Sequence, residues 1–249
     1  MVKAKEILSL SNPLVLHFLK LKSDRKYRHE MKTVLIEGKN VISDLAKKKK
    51  VKRVIIEAYK NLPKDIVADE IIQVSPAILK KISSVITSDG LVAEVFLPES
   101  HLLENEEFVV VLDRIQDPGN LGTIIRTACA FGWQAIFLIE PSCDPFNDKA
   151  LRAAKGASFD IPIQTGSWDD LKAFLGKRNL QVVVADLQGK APEKIKSKSG
   201  ILLILGNEAH GALLPDSFSH EKVTLEMSGA IESLNVAQAG AVLMYVLKR

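Results

Sequence analysis

Two kinds of apolar pattern run along this chain. The first is a set of short unbroken runs: Val109-Val-Val-Leu112, Ala135-Ile-Phe-Leu-Ile139, Val182-Val-Val-Ala185 and Ile201-Leu-Leu-Ile-Leu205. They lack the alternation of a half-buried strand. They predict strands covered on both faces, as in a parallel sheet between helices. The second pattern is spacing by three and four, which predicts helices. Residues 1–30 read as helical, with Asn12-Pro13 as an opening signal and Leu14, Phe18 and Leu21 on one face. A strand over 33–37 stops at Gly38, a helix covers 40–50 through Val41, Ile42 and Leu45, and a strand covers 51–58. Residues 65–70 fit neither pattern. A strand at 71–74, a helix at 76–86 and a strand at 91–97 follow, which together describe an α/β domain of about 100 residues.

The segment 98–107 carries Pro98, Glu99, Glu104, Glu106 and Glu107 and reads as a linker. A second series then begins: strand 108–113, helix 120–131, strand 134–139, helix 148–155, strand 161–164, helix 168–175, strands 181–185, 201–205 and 223–225, and helix 234–247. This gives two domains, 1–103 and 104–249, with no internal repeat. In the final helix Val236, Ala239, Gly240, Leu243, Val246 and Leu247 form an apolar stripe, widened by Ala237, Ala241 and Met244. That stripe fits a core helix, and one edge of it could serve a subunit interface through its small residues.

Composition narrows the class. Of 249 residues, 47% are hydrophobic and 26% charged, which describes a globular chain rather than a disordered one. Cys129 and Cys143 cannot form a disulfide framework and lack zinc-site spacing, so the reducing cytosol is the simpler compartment. The first ten residues lack a signal-peptide core, and the longest apolar runs fall short of the roughly 18 residues of a membrane span. A soluble, cytoplasmic protein is expected. Charge is unevenly divided: residues 1–103 hold 19 Lys and Arg against 12 Asp and Glu, whereas residues 104–249 hold 15 against 18. A basic front half points to a polyanion-binding module.

Ligands of open α/β sheets bind beyond the carboxyl ends of the strands, so polar loops after predicted strands are the places to search. There are three. In the first, residues 113–127, Pro118-Gly119 makes a turn, Asn120 is suited to cap the next helix, and Arg126 sits two turns into an apolar helix. In the second, Gly206-Asn-Glu208-Ala-His-Gly211 follows a strand. Glu208 could accept hydrogen bonds from a neighbouring loop or simply cap a turn. His210 has no acidic partner at fixed spacing. In the third, Met227-Ser-Gly-Ala-Ile-Glu-Ser233-Leu-Asn235-Val, Ser233 sits where a helix cap belongs, and Asn235 falls in the first helical turn. GxGxxG, P-loop, GxSxG and HExxH patterns are missing.

Taken in order, these three loops resemble the motifs of the SpoU/TrmH family of S-adenosylmethionine-dependent RNA ribose 2′-O-methyltransferases, over about residues 107–247. Residues 10–97, through Asn12-Pro13, Arg25-Lys26-Tyr27-Arg28 and Ile36-Glu37-Gly38, resemble the family's L30e-like substrate-binding module. The resemblance implies a parallel-sheet α/β domain tied in a trefoil knot, pairing as a homodimer, with S-adenosylmethionine as cofactor and no metal. It implies catalytic roles for Asn120, Arg126, Glu208, Ser233 and Asn235. Leu205, Gly206, Asn207, Leu225, Met227 and Leu234 would contact the cofactor. Arg25, Lys26, Arg28 and Lys32 would contact RNA, with Lys20, Lys22 and the lysines at 47–50 as further phosphate candidates. Tyr27 would stack on an unpaired base or pack inside its own domain.

The chain departs from the family pattern at Leu225-Glu226-Met227, where Ile-Pro-Met is usual, and at Ala212, where Leu or Met is common. Arginine stays protonated in proteins, with a pKa of about 12 or more, so Arg126 is expected to stabilise charge on the attacking oxygen rather than act as a literal base. Methyl transfer to ribosomal RNA is the leading expectation, with transfer RNA possible. The alternatives are a non-catalytic RNA-binding or ribosome-assembly factor of the same fold, and methylation of a base or a protein side chain.

Overall fold

A computed structural model of the chain describes residues 4–197, 199–207, 210–216, 218–229 and 233–248. It contains two compact units, residues 1–98 with 146–156, and residues 99–145 with 157–249.

The first unit is a mixed five-stranded sheet with helices. Its elements are β1 (Ala4–Ile7), α1 (Pro13–Ser23), α2 (Arg25–Met31), β2 (Thr33–Glu37), α3 (Lys39–Ala46), β3 (Val51–Glu57), β4 (Ala68–Val74), α4 (Pro76–Ile82) and β5 (Leu91–Phe96). The order across the sheet is β1-β4-β3-β5-β2, with β5 antiparallel to both neighbours. Local chemistry sets the helix starts. Asn12 accepts from the Leu14 amide at 2.9 Å ahead of Pro13, and Asp24 accepts from the Tyr27 amide at 3.0 Å. Phe18, Leu21, Ile55, Ile72, Ile78 and Val92 form the core.

Three expectations are corrected here. Residues 4–7 are an edge strand rather than helix: the strand buries only Ile7, so its sequence carries no readable period. The helix expected over 40–50 ends at Ala46, because beyond Leu45 the lysines offer no apolar face. The helix expected over 76–86 ends at Ile82.

The second unit is an all-parallel six-stranded sheet. It comprises β6 (Phe108–Asp113), α5 (Pro118–Ala130), β7 (Ala135–Ile139), then α6 (Asp148–Ala154), whose residues belong to the first unit, and β8 (Ile163–Gly166). It continues through α7 (Trp168–Leu175), β9 (Gln181–Lys190), β10 (Ile201–Leu205), β11 (Glu221–Val223) and α8 (Val236–Leu247). The order is β11-β9-β10-β6-β7-β8. Every residue of β7 and β10 is buried, as their unbroken apolar runs require. On α8, Ala237, Gly240, Leu243, Met244 and Leu247 are buried, so most of the apolar stripe is core. At Gly240 the helix lies so close to β10 that a Cβ would stand 2.6 Å from Leu205 Cδ1. Strand β9 runs five residues beyond its apolar stretch, into the polar segment ending at Lys190. Among the described residues, no helix is long and apolar enough to cross a membrane.

A buried charge sits in the first unit. Glu94, on β5, is fully buried and accepts from His17 Nε2 (3.1 Å), Thr33 Oγ1 (2.8 Å), Arg53 Nη1 (2.8 Å) and Lys52 Nζ (3.0 Å). Burial raises its pKa, but hydrogen bonds from His17, Arg53, Lys52 and Thr33 outweigh that and hold it at about 2. A carboxylate depressed from 4.5 stabilises the fold above that value and loses the contribution as pH falls toward 2. The shift corresponds to about 3 kcal/mol. Glu94→Gln should therefore cost about 3–5 kcal/mol at neutral pH by leaving cations without their counter-charge. It should also flatten the acid limb of the stability curve between pH 4.5 and 2. Chemical denaturation of both proteins across that range measures each effect.

Candidate functional site

The site of the second unit is assembled at the carboxyl ends of β6, β9 and β10. Strand β6 ends at Asp113, whose fully buried carboxylate takes Arg114 Nε and Nη2, each at 2.9 Å. This pairing holds the Arg114 guanidinium pKa above its ordinary value. The same carboxylate accepts from the Leu213 amide at 2.8 Å, and the Arg114 carbonyl accepts from Asn207 Nδ2 at 3.0 Å. The first and second loops are thereby stitched together. Within the second loop Asn207 and Gly211 exchange backbone hydrogen bonds, which folds it back sharply. Gly206 permits this bend: a Cβ there would stand 2.0 Å from the Ala212 nitrogen.

The third loop is tied to the first by two amides. Asn120 was expected to cap α5, but Asp117 does so, accepting from the Asn120 amide at 2.8 Å. The carboxylate one turn earlier wins because Pro118 already occupies the first helical position. Asn120 Oδ1 is left to accept from Asn235 Nδ2 at 3.0 Å. Asn235, expected inside α8 with Ser233 as its cap, is itself the cap, its Oδ1 accepting from Ala237 (2.9 Å) and Gln238 (3.4 Å). One side chain thus starts α8 with its oxygen and reaches the first loop with its nitrogen.

These bends surround a cleft of about 800 Å³. All six residues expected to contact a cofactor line it: Leu205, Gly206, Asn207, Leu225, Met227 and Leu234, together with Ser233 and Asn235. Leu205 closes the floor, backed by Gly240 of α8. Arg126 does not join them; it is exposed on α5 and absent from the lining. Asn120 is linked to the cleft through Asn235. Glu208 lies outside the described residues.

The cleft also uses residues that sequence reasoning missed, among them Asp186, Leu187 and Gln188 near the end of β9. Their signal was present, since they are the polar stretch just after the apolar run at 182–185. Lys222 at 2.8 Å, with the Gln188 amide, keeps Asp186 below the usual carboxylate range. His210 lines the cleft as well. Among the described residues, no group of His, Cys, Asp and Glu could hold a metal ion.

In the first unit, Arg25, Lys26 and Lys32 are exposed, as are Lys20 and the lysines at 47–50. Arg28 is corrected: it is 4% exposed, and its Nη1 donates to the carbonyls of Leu21 (2.7 Å) and Lys22 (3.2 Å). It satisfies the carboxyl end of α1 and is not available to a phosphate. Lys22 likewise donates to Ser83 and Lys81 carbonyls. Tyr27 takes the packing role, its hydroxyl 2.9 Å from His17 Nδ1 and its ring edge-on to the imidazole.

A parallel sheet with a sharp glycine bend, an apolar floor and three cross-linked loops defines a class. Residues 107–245 match the SpoU rRNA Methylase family, and residues 12–93 match the MRM3-like substrate binding domain. The chain belongs to the SpoU rRNA methylase family. It is 33% identical over 251 residues to the 23S rRNA (guanosine(2553)-2′-O)-methyltransferase RlmP of Bacillus subtilis, covering 98% of this chain and 99% of that protein. The structure resembles an AdoMet-bound rRNA methyltransferase from Sinorhizobium meliloti, with TM-score 0.85 and 27% identity over 98% of this chain and 97% of that one. It also resembles an RNA 2′-O ribose methyltransferase, with TM-score 0.80 and 25% identity over 97% of each chain.

The dual use of Asn235 separates two variants. Asn235→Ala loses the cap and the link, and should cost about 1–2 kcal/mol in thermal unfolding. Asn235→Asp keeps the cap but sets a carboxylate against Asn120 Oδ1, so it should recover most of that stability without restoring the link. Melting both variants beside the parent tests this.

Proposed function

We propose that this chain transfers a methyl group from S-adenosylmethionine to a ribose 2′-hydroxyl of RNA, with ribosomal RNA as the substrate class. The observation that carries the reading is the convergence of three sequence-distant loops on one cleft, joined by Asn120–Asn235, Asn207–Arg114 and Asp113–Leu213.

The cleft fits the cofactor on its own chemistry. Leu205, Leu225, Met227 and Leu234 offer an apolar slot for a flat heterocycle, with Gly206 and Gly211 of the folded-back loop in its wall. When bound, the cofactor supplies an activated methyl whose leaving group is a neutral thioether. The residues of the chain then have to place and polarise the nucleophile. Ser233 and Asn235 are cleft-lining polar groups able to orient a ribose, and the Asn120 link holds Asn235 in one pose. Arg126 supplies a fixed positive charge for the developing alkoxide and the neighbouring phosphate. Because it is exposed on α5 and does not line its own cleft, the reading assigns it to the cleft of a second copy in a homodimer. The substrate-binding unit would hold RNA by charge through Arg25, Lys26 and Lys32.

Incubation with labelled S-adenosylmethionine and ribosomal RNA should yield RNA methylated at a ribose oxygen, mapped by nuclease digestion and mass spectrometry. RNA binding without transfer would instead favour a non-catalytic factor. Arg126→Ala should lower turnover about 100- to 1000-fold with cofactor affinity retained. Mixing Arg126→Ala chains with Asn235→Ala chains should restore part of the activity, since a mixed dimer would hold one complete site. No recovery, with mixed dimers demonstrated, would place Arg126 in its own chain's site.

A further inference from the structure

The two most exposed large hydrophobic side chains among the described residues lie at one end of the first unit's sheet. They are Tyr59, 99% exposed, and Ile86, 105% exposed. Both follow from the topology. The carboxyl ends of β2 and β3 meet the amino end of β5 there, with Glu37 opposite Val92 and Ile56 opposite Leu91. Tyr59 is the third residue of the turn Glu57–Lys60, closed by the Lys60 amide on the Glu57 carbonyl at 3.1 Å. Its φ is +69°, at a turn position that glycine or asparagine usually fills.

An aromatic residue is held in the left-handed region while its ring packs against nothing. Strain of this kind persists only where the surroundings fix it, and it collects at ligand sites. The surroundings do fix it. The Ala58 amide donates to Val74 (2.9 Å), the Glu57 amide to Gly90 (3.0 Å), and the Lys60 stem lies over Gly90. The loop bearing Ile86 is pinned as well: Glu37 accepts from Ser83 Oγ (2.6 Å), the Ser84 amide (2.9 Å) and Ser88 Oγ (2.8 Å).

We infer that Tyr59 is a base-stacking residue for an unpaired nucleotide of the RNA substrate, a role that rests on the reading of RNA as substrate. Unstacked bases are taken up by exposed aromatic faces, and the adjoining cations hold the backbone. Lys60, paired with Glu57 at 2.9 Å, and the exposed Lys39, whose amide is tied to Asp89, bracket the same loop. Tyr27, the aromatic that the sequence offered for stacking, is committed to His17.

The test is Tyr59→Gly in the full chain, since glycine accepts the turn and removes only the ring. The melting temperature should hold or rise. Affinity for an RNA hairpin with 2-aminopurine in its unpaired loop should fall about 5- to 150-fold, the range of one stacked base. The 2-aminopurine quenching seen with the parent should vanish, and Tyr59→Trp should restore it. The fully paired stem should bind both proteins alike. Unchanged hairpin affinity or persistent quenching overturns the inference, as does a change of oligomeric state in Tyr59→Gly, which would make this a protein contact. Methyl transfer is measured in the same preparations. Transfer at unchanged KM in Tyr59→Gly defeats the stacking role alone. Lost hairpin affinity with no transfer by the parent defeats the proposed reaction alone.

Discussion

The buried carboxylate of Asp113 is the constraint on which the cleft depends. A fully buried anion at the end of a parallel strand must be satisfied, and its two oxygens collect a guanidinium and a backbone amide from a loop 100 residues later. Arg114, held in place by that pairing, lends its carbonyl to Asn207 from 93 residues away. Asn120 and Asn235 add a link across 115 residues. Closing loops of this length costs chain entropy that grows only logarithmically with length, so a few hydrogen bonds over a packed sheet suffice to hold the three bends together. The cleft is a consequence: where three polar loops are drawn over an apolar floor, the space between them has main-chain groups on its walls and leucines beneath.

Much of this was legible in the residues. Unbroken apolar runs identified β6, β7 and β10, because strands covered on both faces have no polar side to display. Residues that later line the cleft stood out as polar or glycine-rich stretches following those runs. Less legible were contacts made by the same residue types for different reasons. Asn120 and Ser233 both suit a cap, yet Asp117 and Asn235 do the capping. Only the three-dimensional partner of Asn120 explains why an amide is useful where it stands. Strand β1 escaped notice because an edge strand of four residues buries one side chain. The polar end of β9 escaped because its pairing with β11 shifts register there, next to Gly189, where backbone meets backbone.

Charge was legible in amount but not in purpose. The basic excess of the first 103 residues suggests a broad surface for a polyanion. The structure spends part of it internally. Arg53 and Lys52 go to Glu94, Arg28 and Lys22 to the ends of helices, and Lys47 and Lys50 to Asp44 and Asp69. Exposed pairs such as Lys47–Asp44 contribute little to stability and can exchange partners with a phosphate at small cost. Buried ones cannot, because removing either member leaves a charge stranded in a low-dielectric core. Arg25, Lys26 and Lys32 are among the residues whose charge faces water, with Lys20, Lys48 and Lys49.

The placement of Arg126 follows from the same logic. Helix α5 buries Leu121, Gly122, Ile124, Ile125 and Ala128, which occupy its core-facing side. Six residues past Asn120, the helix has turned Arg126 away from the side that meets Asn235, and no rotation of one helix can present both positions to one cleft without exposing that core. In the proposed reaction a cation beside the nucleophile would then have to come from a second copy of the chain, whose Arg126 is exposed. Under that proposal, separating the charge from the slot would have a physical advantage, since a slot built of leucines would have to desolvate an arginine held permanently within it, at a cost that an RNA phosphate would offset only when bound.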